Sequence, residues 1–573
     1  MSRASIPPLD CASLRAQLGA LSGLVRLRDL SAGFAEASDE TIAAILDSAA
    51  AFAADRLEAL NAQSDSLAPQ LVDGAVVTSD LHREVWRDYA EGGWIALDLP
   101  EPLGGQGLPL VVAVAVQEVF DRHCAAFGML PVPMRSAVRL IEAWTTDAEI
   151  RSQWLPKLIA GEWGATICIS EVGAGSDASR IRTKAVPRGD GRWSITGEKQ
   201  WISFGGHDLT GRIVHCLLAR AEGAAGPSKG LSLFLVPDRI DDAANGVVVR
   251  KLEHKLGLHL SPTCAMGFED ATGYLLGEEG RGLAQMFVMI TNMRMAVGAM
   301  GLGIASAAAD VALGYARQRL QGGAGPQPLP IIEHADVQRM LLAMQADVEC
   351  ARALIYAAAV EADLARVETD DAARRDSAAL AQWLLPIVKT LGGELAFTTA
   401  DGAIQVLGGA GYTTDWPVEQ LLRDSRVLPI FEGTTGMQGL DLLHRRLWKD
   451  GGAGLRVFLA RARADVAVLE GRDAAAATGI IELLETTADQ LGAMRDRPRD
   501  GEAGATGFLH LAIDTALAWS AARLAALRDD TPASARLRAL GGFQLGELTG
   551  RARHHATQAL RGAAALDGMA TLL

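Results

Sequence analysis

The apolar pattern of this chain changes period twice, and few architectures tolerate that. From about residue 35 to 165 apolar residues recur every three or four positions, as in DETIAAILDSAAAFAADRLEAL at 39–60. That is the repeat of one face of an α-helix. Between about 166 and 278 the runs become short, β-branched and aromatic. RWSITGEKQWIS (192–203) reads as strands around a glycine turn, and GRIVHCLLAR (211–220), GLSLFLVP (230–237) and GVVVRKL (246–252) follow between turn residues. From about 279 long helical segments return, at 283–320, 335–367 and through TLGGELAFTTADGAIQVLGG at 390–409. The predicted fold is mainly α with a central β domain. It divides into an N-terminal segment without assignment (1–40), an N-terminal helical domain (41–165), a small antiparallel β-barrel domain (166–278), an antiparallel helical bundle (279–450) and a C-terminal helical extension (451–573). LPEPLGGQGLP at 99–109 reads as a loop inside the first helical region, and RDRPRDGEAGATG at 495–507 as a separator inside the last.

A length of 573 residues exceeds what one core serves, which agrees with several domains. The net charge of −15 argues against a chain whose work is to neutralise nucleic-acid phosphates. Six cysteines, Cys11, Cys124, Cys168, Cys216, Cys264 and Cys350, form no C-x-x-C pair and predict reduced thiols in a cytoplasmic protein, with no metal site. The start, MSRASIPPLDCASLRAQ, has no apolar core of the kind a secretory signal needs. The run LPLVVAVAV at 108–116 is far short of the ~20 residues of a membrane span, so none is expected.

Three stretches invite chemistry. In TICISEVGAGSDASRIRTKA (166–185) a strand through Ile167, Cys168 and Ile169 gives way to a tight turn at Gly173, Ala174, Gly175 and Ser176. Such a turn lets a flat or anionic ligand approach backbone N–H groups, and it is equally an ordinary β-turn. In GEKQWISFGG (197–206) Trp201 next to the strand end covers an aromatic ligand or belongs to the core. In IQVLGGAGYTTDWPVEQLLRDSRVLPIFEGTTG (404–436) the glycines 408, 409 and 411 end a helix, and Glu432 stands alone among small residues before the next one. That acid is either a surface group favoured by the helix dipole or a base. GLGIAS at 301–306 lies inside a helical run, which fails the strand–turn–helix context of a dinucleotide fingerprint. P-loop, H-E-x-x-H and G-x-S-x-G patterns are absent from the sequence.

Taken in order on an α–β–α frame, CISEVGAGSD, GEKQWIS and FEGTTGMQ resemble the signatures of the acyl-CoA dehydrogenase family over roughly residues 40–450. KLGLHLSPTCAMGFEDATGYLLGE, PIIEHADVQRMLL and the extension look most like the long subgroup that includes 3-methylmercaptopropionyl-CoA dehydrogenases. The resemblance implies FAD as cofactor and an acyl-CoA thioester as substrate. It casts Glu432 as the base that takes the α proton while the β hydrogen leaves as hydride to flavin N5. A thioester α C–H is a weak acid until donors hold the carbonyl oxygen, which the family does with the base's own N–H and a ribityl hydroxyl. A dry setting raises a carboxyl toward neutrality and makes it a better base. A second branch of the family carries its base just before a substrate-binding arginine. Here that arginine matches Arg294 and is preceded by Met293, which accepts no proton, so Glu432 is the matching base.

By the same resemblance Ile169, Ser170, Gly175, Ser176, Trp201 and Ser203 line the isoalloxazine, with Ser176 also toward substrate beside Arg294 and Gly433. Arg319, Gln321, Gln405, Gly408 and Gly409 reach the cofactor of a neighbouring subunit, and Thr434 and Gly436 approach the adenosine end. The expected assembly is a homodimer, and the expected electron acceptor an electron-transferring flavoprotein. Val172, Phe431 and the insertion GGAGPQPLP after Gln321 depart from the family pattern. An acyl-CoA oxidase using oxygen remains an alternative, because solvent access to the flavin is not written in sequence. A DNA-binding flavoprotein of alkylation response would carry a basic C-terminal region, whereas residues 451–573 hold 14 arginines, no lysine and 14 acids.

Overall fold

The computed structural model describes residues 3–222, 230–323 and 325–569, so the first two and last four residues of the flanking segments lie outside the described residues. The chain divides into two compact units, one of Met1–Ala51, Pro109–His123 and Arg294–Leu573, the other of Phe52–Leu108 and Cys124–Met293.

The second unit holds the β-structure. A small hairpin, β1 (Gln70–Val72) and β2 (Ala75–Val77), precedes helix Asp80–Glu91. Ser79 caps that helix by accepting from the His82 N–H at 3.2 Å. Its buried face, His82, Val85, Trp86 and Tyr89, follows the three-to-four spacing, and Trp86 stacks on Tyr89 at 5.7 Å. The segment at 99–109 is a loop around one 3-10 turn, Glu101–Leu103, closed by Gly104 with φ +92°.

The main sheet contains β3 (Trp163–Cys168), β4 (Lys184–Pro187), β5 (Arg192–Ser203), β6 (Arg212–Ala221) and β7 (Leu231–Pro237). After the short β8 (Arg239–Ile240) and β9 (Ala243–Ala244) come β10 (Val247–Leu252) and β11 (Thr263–Leu275). Strand β7 pairs with both β11 and β6, so the ring β11–β5–β4–β6–β7 closes into a barrel, to which β3 adds by pairing with β6 and β10 by pairing with β11. Closure removes the exposed edges that a small sheet otherwise presents. Two pairings, β3 with β6 and β4 with β6, are parallel, where the short strands alone suggest antiparallel pairing throughout. The loop 169–183 carries the chain back so that β4 runs alongside β6 in the same sense as β3.

Gly197 is not a turn: β5 runs unbroken through it. A Cβ there would stand 2.7 Å from Thr183 Cα, so the missing side chain serves a close approach instead. Cys168, Ile195, Leu217, Phe234, Met266 and Phe268 fill the barrel.

The first unit is helical. Gly282–Gln318, shared at its start with the other unit, Ala335–Val367 and Asp371–Leu407 are the long helices. The glycines of GAMGLG are packing positions: a Cβ on Gly301 would lie 1.9 Å from Gly392 O, and one on Gly303 2.8 Å from Glu118 O. Gly282–Gln318 is long and apolar enough to cross a membrane, which the sequence expectation overlooked, but 83% of its most apolar window is buried inside the protein. Residues 3–40, unassigned from sequence, form short helices at Cys11–Ala20, Leu24–Leu30 and Ala32–Ala35. Ser13 and Gln17 anchor the first of them on Glu349 at 2.9 and 2.7 Å.

The extension forms helices Ala453–Val466, Gly471–Gly492, Pro498–Ala525 and Pro532–Ala559. Most of RDRPRDGEAGATG is thus helical rather than a separator. Pro498 opens the helix, and Gly504 and Gly507 let it press on the Ala559 backbone, where a Gly504 Cβ would come within 1.9 Å.

Candidate active site

Two groups of residues emerge, one in each unit. In the β unit, β3 ends at Cys168, and the chain turns tightly at Glu171–Ala174, whose N–H and C=O groups bond reciprocally at 2.9 and 3.1 Å. Gly175 and Ser176 follow on the exposed side of that turn. Ile169 and Ser170 are half-buried and meet β5: Gln200 N–H donates to Ser170 O at 2.9 Å. Opposite, β5 bulges, with Gln200 and Trp201 facing the single residue Ala265 of β11. The bulge puts Trp201 at φ +63° and leaves the residue 61% exposed. A large aromatic held outward in a left-handed backbone is an outlier that points to use rather than to packing. Ser203 pairs with Thr263 at the strand end, half-buried. Among the described residues the hydroxyls of Ser170, Ser176 and Ser203 have no protein partner.

Glu171 and Lys199, neither assigned a role from sequence, hold this loop. Lys199 Nζ is fully buried and donates to Glu171 Oε1 at 2.8 Å, Ile169 O at 3.1 Å and Leu218 O at 2.8 Å. Glu171 also accepts from Arg182 N at 2.7 Å and Thr183 Oγ1 at 2.7 Å. Burial works to raise the Glu171 carboxyl, but the Lys199 ammonium and these donors outweigh it and hold it below the ordinary carboxylate range.

In the helical unit the loop 428–434 carries Glu432 and leads into helix Thr435–Leu440, which Thr434 caps by accepting from Met437 N–H at 3.3 Å. Glu432 has φ +55° and Gly433 φ +93°, two successive left-handed residues. Only the second is a glycine, and a Cβ there would meet Gln438 Nε2 at 2.7 Å. The loop's carbonyls are pinned from both sides. Lys389 Nζ, buried on helix Asp371–Leu407, donates to Leu428 O at 2.9 Å and Gly433 O at 2.8 Å. Gln438 Nε2 donates to Glu432 O at 3.1 Å and Gly433 O at 3.2 Å, and Arg294 Nε to Glu432 O at 3.4 Å. Asp441 holds the Arg294 guanidinium at 3.5 Å. With its carbonyl so occupied, Glu432 keeps a free carboxylate and a free N–H among the described residues.

The electrostatics follow from burial. Desolvation raises the Glu432 carboxyl, with Arg294 and Lys389 opposing it. Desolvation also lowers Lys389 to about 8, against the pull of Glu432. The structure thus brings Glu432, Gly433, Thr434, Gly436 and Arg294 together. Gln405, Gly408 and Gly409 sit exposed where helix Asp371–Leu407 ends, Gly408 at φ +61°. Arg319 and Gln321 lie in a narrow hairpin in which Gln321 N–H donates to Leu329 O at 2.8 Å. Among the described residues no hydrogen bond joins these two exposed groups to the Glu432 loop. Lys389 and Gln438 escaped sequence reasoning, although a lysine inside the apolar run WLLPIVKTLGG was a signal.

Family models for the acyl-CoA dehydrogenase N-terminal, middle and C-terminal domains match residues 39–162, 166–271 and 280–447. The chain belongs to the acyl-CoA dehydrogenase family. It is 38% identical over 493 residues to 3-methylmercaptopropionyl-CoA dehydrogenase of Ruegeria pomeroyi, covering 83% of this chain and 84% of that protein. Among solved structures, Caenorhabditis elegans ACDH-11 in complex with C11-CoA shares the fold with a TM-score of 0.78 at 21% identity, over 96% of this chain and 92% of that one. An acyl-CoA dehydrogenase from Bacillus anthracis complexed with FAD shares it with a TM-score of 0.73 at 21% identity, over 91% and 88%. The match to ACDH-11 includes the extension, so the long form of this acyl-CoA dehydrogenase is a property of the fold as well as of the sequence.

Proposed function

We propose that this acyl-CoA dehydrogenase introduces an α,β double bond into an acyl-CoA thioester, with FAD as cofactor and Glu432 as the base. The observation that carries the proposal is the state of Glu432: a raised, hydrogen-bond-free carboxyl whose own carbonyl is immobilised and whose N–H is unspent. A carboxylate in that condition abstracts a proton readily, and an adjacent free N–H supplies one donor for a developing enolate oxygen.

The β unit's residues fit a flat aromatic cofactor with a polar rim. Trp201 offers an exposed aromatic face, Ser170 and Ser203 offer uncommitted hydroxyls, and a Cβ on Gly173 or Gly175 would meet nothing within 4 Å. Bound FAD would supply the acceptor for the β hydride. Glu432 removes the α proton, Arg294 fixes the loop carbonyl and lies beside the substrate, and Lys389 and Gln438 keep the loop from turning. Arg319, Gln321, Gln405, Gly408 and Gly409 are exposed, which suits the role toward a second copy's cofactor that the family resemblance gives them, and so a homodimer. An electron-transferring flavoprotein is the proposed acceptor. A reducing, cytoplasmic setting agrees with six buried cysteines that form no disulfide.

The test is anaerobic bleaching of the yellow protein by a panel of acyl-CoAs, including a thioether-bearing one of the kind that names the relative from Ruegeria. Glu432→Gln should keep its flavin and lose bleaching. Bleaching at the wild-type rate in that variant removes Glu432 from the mechanism. Reoxidation of the reduced protein by air within seconds would replace the flavoprotein acceptor with oxygen.

A further inference from the structure

The extension does more than lengthen the bundle. Helix Pro498–Ala525 packs on helix Thr435–Leu440, directly after the base loop, and the approach is close: a Cβ on Gly439 would lie 2.9 Å from Ala505 O. At this interface stands His510. Its Nε2 is 3.0 Å from Glu394 Oε2, and the other carboxylate oxygen of Glu394 accepts from Thr435 Oγ1 at 2.8 Å. Thr435 in turn donates its N–H to Pro429 O at 3.1 Å, closing the backbone around residues 430–434. A chain of three hydrogen bonds therefore runs from the extension to the neck of the loop that carries Glu432. Lys389, on the same helix as Glu394, holds the loop separately through Leu428 O and Gly433 O.

We propose that His510 is a positioning residue: through Glu394 it fixes the Thr435 hydroxyl and so holds the 429–435 loop in the strained conformation that presents Glu432. The rate consequence rests on the proposed role of Glu432, while the effect on the loop stands without it.

The surroundings of His510 suit a permanent post. On its own helix Asp514 lies one turn on, accepting from Arg551 Nε at 2.6 Å and bonded to His555 Nδ1 at 2.6 Å, both from helix Pro532–Ala559. The His555 ring packs on the His510 ring at 5.1 Å and limits its rotation. Burial disfavours the imidazolium, but Glu394 and then Asp514 override it against Arg551, so the ring titrates above its ordinary value. A neutral ring with its proton on Nε2 donates to Glu394 as well, so the hold survives through neutral pH.

The experiment uses the full chain with its flavin. His510→Leu should speed hydrogen–deuterium exchange of peptides covering 428–437 about tenfold and slow bleaching at saturating acyl-CoA about tenfold, with half-saturation unchanged. His510→Gln, which keeps a donor near the Nε2 position, should restore both. Thr435→Val, reaching the same chain from the loop side, should reproduce the loss, and the double variant should add little to either single one. Unchanged loop exchange in His510→Leu, fully additive effects, or an unchanged bleaching rate in a protein whose bleaching Glu432→Gln does abolish would overturn the proposal. If exchange responds as expected while Glu432→Gln still bleaches, the base assignment falls and the extension's hold on the loop stands.

Discussion

Replacing Lys389 with Met tests how the base loop is governed by one buried ammonium. Burial lowers Lys389 from 10.5 to about 8, which at neutral pH makes its charged form about 3 kcal/mol less favourable in the fold than in the unfolded chain. Methionine has similar bulk and no charge, so the substitution relieves that burden. Against it, Leu428 O loses its donor at 2.9 Å, while Gly433 O retains Gln438 Nε2 at 3.2 Å. One orphaned carbonyl costs roughly 1–3 kcal/mol, so the two changes nearly cancel at pH 7. The cancellation has a pH signature. Between about 8 and 10.5 the wild-type fold binds fewer protons at this site than the unfolded chain, so its stability rises with pH there. Lys389→Met lacks that rise and becomes the less stable protein toward pH 10. Catalysis shifts in the other direction. Lys389 is one of two cations that oppose the raised Glu432 carboxyl, so its removal raises that group further. As the proposed base, Glu432 would work only when ionised, and the acidic limb of the bleaching rate should then move to higher pH. Urea titrations at pH 7 and 10, with stopped-flow bleaching from pH 5 to 9, read both effects. A destabilisation above about 4 kcal/mol at pH 7, or an acidic limb that stays in place, would refute this account.

Gly433→Ala should fold yet bleach slowly. Its φ of +93° costs an alanine about 1–2 kcal/mol, and the new Cβ displaces the Gln438 amide from 2.7 Å, leaving the Glu432 carbonyl only the Arg294 donor at 3.4 Å; stopped-flow rates within twofold of wild type would contradict this. Arg352→Met strikes a buried ion cluster remote from the loop. Glu118, held by Arg352 Nη2 at 2.7 Å, would keep only the Tyr356 hydroxyl at 2.7 Å, and urea titration should report a loss of roughly 3–5 kcal/mol with unchanged slope. A loss under about 1 kcal/mol would mean that the cluster adjusts freely.

What the sequence made legible is what burial writes locally. A half-buried helix must repeat every three to four residues and a strand every two, so the α–β–α–α order could be read without any structure. Glycine was harder, because a missing side chain serves opposite ends. At Gly408 and Gly433 it permits a left-handed backbone, whereas at Gly197, Gly301 and Gly504 it admits another backbone to close range. The sequence marks both with the same letter, which is why GEKQWIS looked like a turn and GEAGATG like a separator. The site divides in the same way. Glu432 announced itself as one acid among small residues, but its chemistry is set by groups that only folding brings near. Lys389 lies on another helix, and His510 and Glu394 are 116 residues apart in the chain. No short-range pattern reports such pairings, since each partner sits in an ordinary helical context. The two left-handed residues at 432 and 433 explain why so many distant donors converge on this loop. An acid in that conformation, strained by about 1–2 kcal/mol, persists only where the surroundings over-determine it, and Lys389, Gln438 and Arg294 each spend a donor on the loop's carbonyls rather than on the carboxylate. That division of labour leaves the one group a base must keep uncommitted.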